Sequence, residues 1–199
     1  MTKTQLPTNL VKHTSKNPIQ KFLIGNFFST LISLIKPLNA DSILDAGCGE
    51  GFTMNKLREN GLGKKIEGVE YSKESIDFGK KLFPNLTIKQ GSVYDLPYKD
   101  NSFDLIICTE VLEHLESPTK ALKEMLRVSN KYLVISVPNE PLFMLSNFLR
   151  GKNLSRFGND PGHVNHWSPW SLKKILKQNG IKVKKIIFPF PWTLILGEK

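Results

Sequence analysis

The stretch Ile43-Leu44-Asp45-Ala46-Gly47-Cys48-Gly49-Glu50-Gly51 decides how this chain folds. An apolar run leads into three glycines within five positions, which reads as a strand ending in a tight turn that opens a helix. Glycine at such a turn permits φ > 0 and lets the backbone come close to a ligand. Outward from it, short apolar runs alternate with helical patterns. Strand Ser42–Asp45 precedes helix Thr53–Glu59, and strand Ile66–Glu70 precedes helix Lys73–Leu82. Leu86–Lys89 reads as a third strand and Phe103–Cys108 as a fourth; helix Thr119–Val128 leads to strand Tyr132–Val137. Strongly apolar strands in βα alternation imply a parallel sheet covered by helices on both faces.

The flanks read differently. Residues 1–16 are polar and are expected to be flexible. From Pro18, apolar residues recur at helical spacing up to Ile35, and Pro37 ends that helix. Residues 138–168 are rich in Asn, Pro, Gly, His and Trp and read as an inserted loop or cap. Helix Pro169–Gln178 stops at Asn179-Gly180, a left-handed terminator. Ile181–Phe188 and Thr193–Leu196 then close the sheet. The expectation is one domain over residues 1–199, with its core at 41–137, cap at 138–168 and closing elements at 169–199.

Composition narrows the class. The 199 residues carry 28 Lys+Arg against 18 Asp+Glu, a formal charge of +10. Of the basic residues, 24 are lysines spread along the chain and only four are arginines. A nucleic-acid reader leans on Arg forks and interleaved aromatics, so nucleic acid is not the expected partner. The charge does suit an anionic substrate or peripheral contact with a membrane surface. Two cysteines, Cys48 and Cys108, exclude a disulfide scaffold and read as small packing residues. The uncharged stretch Phe22–Ile35, at 14 residues, is shorter than a membrane-spanning helix requires. No leader pattern is read at the N-terminus, and a cytoplasmic location is expected.

Glu70 closes the second strand 19 residues after Gly51, the distance at which a carboxylate accepts both hydroxyls of a ribose. A dinucleotide fingerprint would need glycine at position 52, which is Phe52. Asp45 also places an anion where a pyrophosphate would sit. A carboxylate there repels phosphate and suits an ammonium. The electrostatics therefore favour S-adenosylmethionine over a nicotinamide cofactor.

With these residues in view, the chain resembles the class I S-adenosylmethionine-dependent methyltransferases of the small ubiquinone/menaquinone-biosynthesis-like type. The likeness spans roughly residues 17–199. It rests on Asp45–Gly51, Glu70, Gly91-Ser92-Val93-Tyr94-Asp95-Leu96-Pro97 and Ser102-Phe103-Asp104-Leu105-Ile106. It also takes in Glu110-Val111-Leu112-Glu113-His114-Leu115 and His163-Val164-Asn165-His166-Trp167-Ser168-Pro169. The resemblance implies a Rossmann-like α/β fold, a seven-stranded sheet, mostly parallel with an antiparallel last strand. It implies that Gly47, Cys48, Gly49 and Gly51 line the cofactor's methionine part, with Asp45 near its ammonium and Thr109 at its edge. Glu70 would hold the ribose, Tyr71 would pack on the adenine, and Val93 would offer its amide. Ser92 stands where relatives usually carry an Asp that accepts from the adenine amino group, so that contact would be weaker or borrowed from Asp95.

Transfer of a methyl group from a sulfonium asks the protein for alignment, dehydration and, at oxygen, a proton acceptor. His114 and His163 are the candidate bases; His13 and His166 read as cap or surface residues. Glu110, Glu113 and His114, at i, i+3 and i+4, would share one side of a helix. With His163 they could bind a divalent metal, as similar patterns do in small-RNA 2′-O-methyltransferases, although no metal is expected here. The cap, with Phe143, Phe148, Arg150, Arg156 and Trp167, would form the acceptor pocket with helix 18–35. A small acceptor, aromatic or lipid-linked, fits that character, with transfer at oxygen or an activated carbon. The alternatives are an RNA or nucleotide-sugar/glycan methyltransferase and a non-catalytic cofactor-binding subunit.

Overall fold

The computed structural model describes residues 8–149, 151 and 153–199. The expected alternation is present. Strands β1 (Ser42–Ala46), β2 (Lys65–Glu70), β3 (Thr87–Gln90), β4 (Phe103–Thr109) and β5 (Ser129–Pro138) are joined through helices α3 (Phe52–Glu59), α4 (Lys73–Leu82) and α5 (Pro118–Val128). Helices α1 (Thr8–Thr14) and α2 (Pro18–Ile35) precede them. Helices α6 (Glu140–Leu149) and α7 (Pro169–Gln178) and strands β6 (Lys182–Ile187) and β7 (Trp192–Glu198) follow. The seven-stranded sheet has the order β3-β2-β1-β4-β5-β7-β6. β1 pairs in parallel with β2 and β4, whereas β7 runs antiparallel to both β5 and β6. The order reverses at β1, so the carboxyl ends of β1 and β4 open a crevice, the usual ligand position in open α/β sheets.

Side chains alternate between the two faces of the sheet. Ile43, Leu105, Ile107 and Val134 join Phe27, Phe28, Leu31, Leu34 and Ile35 of α2 in one core. Leu44, Ile106, Cys108, Leu133, Ile135 and Val137 pack on the other face with α5, α7 and Trp167. A register shift between Phe103 and Leu105 turns Phe103 into this second core.

The helix ends follow from local chemistry. Asn17 caps α2 by accepting from the Ile19 and Gln20 amides at 2.9 and 3.2 Å, with Pro18 in the first turn. Ser168 and Ser171 cap α7 reciprocally, and Gly180 (φ 84°) stops it. Over Pro18–Leu38, counted through Lys21 and Lys36, α2 with the turn after it is long and apolar enough to cross a membrane by length and composition, with a mean hydropathy of 1.3. The 14-residue count understated it. The fold spends the second half of that helix on the core.

Three expectations change. Residues 8–14 of the supposedly flexible N-terminus form α1, because His13 stacks on Phe52 at 4.3 Å and packs against Phe28. The cap is not all loop. Amides of Leu142 and Phe143 bond to the Asn139 carbonyl and start α6, whose apolar outer face hides the usual periodicity. Finally, Glu110 adopts φ 59° and Leu112–His114 is a single 3-10 turn, so Glu110, Glu113 and His114 do not share a helix face.

Candidate active site

The glycine turn is built by close packing. The amides of Gly47 and Cys48 both bond to the Val69 carbonyl, bending the chain off β1 over the end of β2. Gly47 has φ 83°, and a Cβ there would stand 2.5 Å from Val111 Cγ2. Gly68 completes the joint, since a Cβ on it would meet Cys48 Sγ at 2.5 Å. The turn is therefore set by strands behind it and leaves its front open.

Gly47, Gly49, Glu70, Tyr71, Ser92 and Val93 line one end of a cleft of about 1120 Å³. Thr109 and Cys48 border a niche of about 50 Å³ beneath the turn, which shares Gly47, Glu110, Trp192 and Lys12 with the cleft. Glu70 is pinned by two amides: Gly49 N donates to Oε2 at 2.9 Å and Ser72 N to Oε1 at 2.8 Å. Held this way, the carboxylate keeps lone pairs for a diol. The ring of Tyr71 is 80% exposed at the cleft edge, a face that a planar base would cover.

Gly51 departs from its expected place, and the Ser92 hydroxyl is engaged in a local turn. Gly51 does not line the cleft among the described residues. It caps α3 with φ 88°, where a Cβ would lie 2.8 Å from Leu86 Cδ1. Ser92 Oγ accepts from the Tyr94 amide at 3.1 Å and closes a turn, and Asp95 is exposed outside the cleft lining. Neither side chain is set up as the adenine acceptor.

Asp45 is 1% exposed, and neither carboxylate oxygen has a hydrogen-bond partner among the described residues. Burial, then the charge of Glu70, pushes its pKa up to about 7. A buried carboxylate without donors is costly and calls for a cation nearby. Asp45 lines neither the cleft nor the niche, so its charge would act from behind the glycine turn; with Glu70 and Glu110 in the lining, the surroundings suit an ammonium and a sulfonium and disfavour a pyrophosphate. The residues present fit S-adenosylmethionine. Both thiols are buried, and burial raises each well above its ordinary pKa, so neither is an activated nucleophile.

At the far end, the cleft is lined by His114, Phe143, Asn147, His163 and Pro191. His163 Nδ1 donates to Glu140 Oε1 at 2.5 Å, with both side chains nearly buried. Burial opposes the charged imidazole, but the bond and charge of Glu140 outweigh it, so the His163 pKa is raised. Phe143 stacks on the same ring. His114 Nδ1 donates to the Gly162 carbonyl at 2.8 Å, which leaves Nε2 as its acceptor. Glu113 is buried, its Oε2 accepts no hydrogen bond among the described residues, and burial beside Glu110 drives its pKa well up.

Ligand atoms of Glu113, His114 and His163 lie within 4.8 Å of one another. Glu110, the fourth residue of the expected set, is not in that group. Its oxygens take Ser136 Oγ at 3.0 Å and Trp192 Nε1 at 2.6 Å, with Lys12 Nζ at 3.8 Å. Sequence reading passed over Lys12 and Trp192, which nothing local marks. Pro138-Asn139-Glu140 ahead of His163 is legible in the sequence as a motif shared with metal-binding relatives, but it assigns the Glu140 side chain no role. His166 is a half-exposed cap residue, as expected, whereas His13 packs α1 against Phe52 and Phe28. Arg150 lies outside the described residues.

A reversed parallel sheet, a glycine turn and an acid-lined adenosine end define a class I methyltransferase core, whose cofactor is S-adenosylmethionine. Residues 44–134 match the family described as Methyltransferase domain. The methyltransferase YcgJ of Bacillus subtilis is 30% identical over 132 residues, covering 61% of this chain and 49% of that protein. Demethylmenaquinone methyltransferase of Renibacterium salmoninarum is 28% identical over 57% of this chain and 48% of its own length. A SAM-dependent methyltransferase from Aquifex aeolicus has the same fold, with a TM-score of 0.68 at 18% identity over 98% of this chain and 99% of that one. The chain is thus similar to S-adenosylmethionine-dependent methyltransferases over residues 44–134 and has their fold beyond that stretch. It spans about half the length of the two curated relatives named here.

Proposed function

We propose that this protein transfers a methyl group from S-adenosylmethionine to oxygen, or to an activated carbon, of a small ring-bearing or lipid-linked molecule in the cytoplasm. The observation that carries the reading is the His163–Glu140 pair at the end of the cleft opposite Glu70. When bound, the cofactor supplies an electrophilic methyl group on a sulfonium. Glu70 and the glycine turn would hold the donor at one end of the cleft that His163 lines at the other. Phe143 and Pro191 give an acceptor ring an apolar seat and displace water. Glu140 fixes the ring of His163 with Nδ1 protonated, which leaves Nε2 to take the acceptor's proton as the new bond to carbon forms. In such a transfer the methyl would leave without its bonding electrons, the S–C pair would stay on sulfur, and the acceptor's proton would end on His163. The free thiols of Cys48 and Cys108 support the cytoplasmic placement.

A second reading rests on the approach of Glu113, His114 and His163. These three could hold a divalent cation that lowers the acceptor's pKa directly. One experiment separates the two. Release of S-adenosylhomocysteine is followed over a panel of catechols, quinols and prenylated phenols, with and without a chelator. Under the first reading, His163→Ala loses roughly 10²–10⁴-fold in kcat while product-cofactor affinity holds, and chelation changes nothing. Full turnover by His163→Ala overturns it. Loss on chelation, restored by Mg²⁺ or Mn²⁺, moves the chemistry to the metal.

A further inference from the structure

Helix α6 is inside out. Its Asn147 is buried and donates to the Gly158 carbonyl at 3.0 Å, while Leu142, Leu145, Phe148 and Leu149 are 43, 53, 42 and 76% exposed. Positions 142, 145 and 149 form one stripe at i, i+3 and i+7. The turn that follows adds Leu154 and Phe157, at 55 and 77%. Across the cleft, the first turns of α2 expose Ile19 and Phe22, at 68 and 72%. These positions flank the cleft itself, because Gln20 and Leu23 of α2 and Phe143, Asn147 and Asn153 of the cap line it. Apolar side chains thus border the mouth on two sides. Exposed apolar patches of this kind, one on each rim, mark an interaction site.

Charge selects the partner. Residues 1–40 contain five lysines and no acidic residue; residues 141–159 contain Arg150, Lys152 and Arg156 and again no acidic residue. The described residues of 8–40 and 141–159 hold none of the 18 acids, and the exposed acid of the cleft lining, Glu116, lies outside these two rims. Lys16 and Lys21 are exposed beside Ile19 and Phe22, and Arg156 is exposed beside Phe157. Apolar side chains interleaved with acid-free basic segments match the boundary between anionic headgroups and acyl chains.

We infer that the α2 and α6 rims of the cleft dock onto an anionic lipid bilayer, with the mouth facing the membrane. The bound surface would deliver acceptors that partition into the bilayer, and it requires no transmembrane segment. This goes beyond methyl transfer itself, since cofactor binding does not depend on it.

The test is flotation of the full chain with phosphatidylcholine vesicles containing 30% phosphatidylglycerol, against pure phosphatidylcholine, at about 50 mM and 300 mM salt. Phe22→Glu and the pair Leu145→Glu/Leu149→Glu are compared with the parent. These sites are exposed, so S-adenosylhomocysteine affinity should stay unchanged and certify folding. The expected result is binding to anionic vesicles that falls at least tenfold on neutral vesicles and with each variant, and that weakens with salt. Absence of flotation at low salt, or flotation indifferent to both variants, overturns the proposal. So does a stable dimer that the same variants dissociate, which would assign the surface to a second copy. Retained cofactor affinity without vesicle binding would sink this inference alone and leave the proposed reaction standing.

Discussion

Replacing Asp45 by Asn should stabilise the free protein and weaken its hold on the cofactor, two effects of one buried charge. Asp45 is fully enclosed, without a hydrogen-bond donor among the described residues, and its pKa moves from an ordinary 3.8 to about 7. A shift of about three units corresponds to roughly 4 kcal/mol at most against the folded state once both forms are ionised. The sign follows from proton counting. Between pH 4 and 7 the native state holds a proton that the unfolded chain has released, so stability falls as pH rises through this window and then levels off. Asn has nearly the same shape and no charge, so the variant should lose that slope. Urea unfolding at pH 5 and pH 8 measures it: the change in stability from pH 5 to pH 8 is less unfavourable in Asp45→Asn than in the parent, and the variant is the more stable of the two at pH 8. Calorimetry supplies the other half. Removing a buried negative charge behind the turn that would hold an ammonium should cost at most about 1.5–3 kcal/mol, or roughly 10–100-fold in affinity. S-adenosylmethionine, which carries an extra positive charge, should lose more than S-adenosylhomocysteine. A variant less stable than the parent at pH 8, or one that binds both ligands unchanged, would refute the reasoning.

Other expectations rest on separate parts of the molecule. Gly51→Ala forces a side chain onto a residue at φ 88° and places its Cβ against Leu86, so a loss of about 2 kcal/mol is expected, seen as a Tm lowered by roughly 4–8 °C; a Tm within about 1 °C of the parent would contradict this packing. His13 is held to a pKa of about 4 by burial first and then by Lys12 and Lys56. Its folded pKa lies below the ordinary 6.5, so the stability it allows is present above pH 6.5 and declines as pH falls toward 4, by at most about 3 kcal/mol. His13→Phe should lessen that acid loss in urea titrations between pH 7.5 and 4.5; equal losses in parent and variant would place His13 in solvent.

Much of this architecture follows from local chemistry. Gly47, Gly49 and Gly51 after an apolar strand specify a strand–turn–helix, because few other residues tolerate the left-handed turn. Phe52 and Asp45 then argue against a phosphate-bearing ligand by shape and charge alone. Helix ends at Asn17, Ser168 and Gly180 are equally local, since a cap depends on its immediate neighbours. The acceptor end is another matter. Glu110 leaves the expected helix because its left-handed backbone hands its carboxylate to Ser136 and Trp192, the latter 82 positions away. Glu140 meets His163 only because α6 and the returning loop fold over the same strand ends. α6 itself escapes a periodicity search because its apolar stripe faces outward. Sequence determines what short-range sterics and burial can decide; which distant side chains share a charge or a proton is decided by the packed sheet, where separation along the chain no longer measures distance.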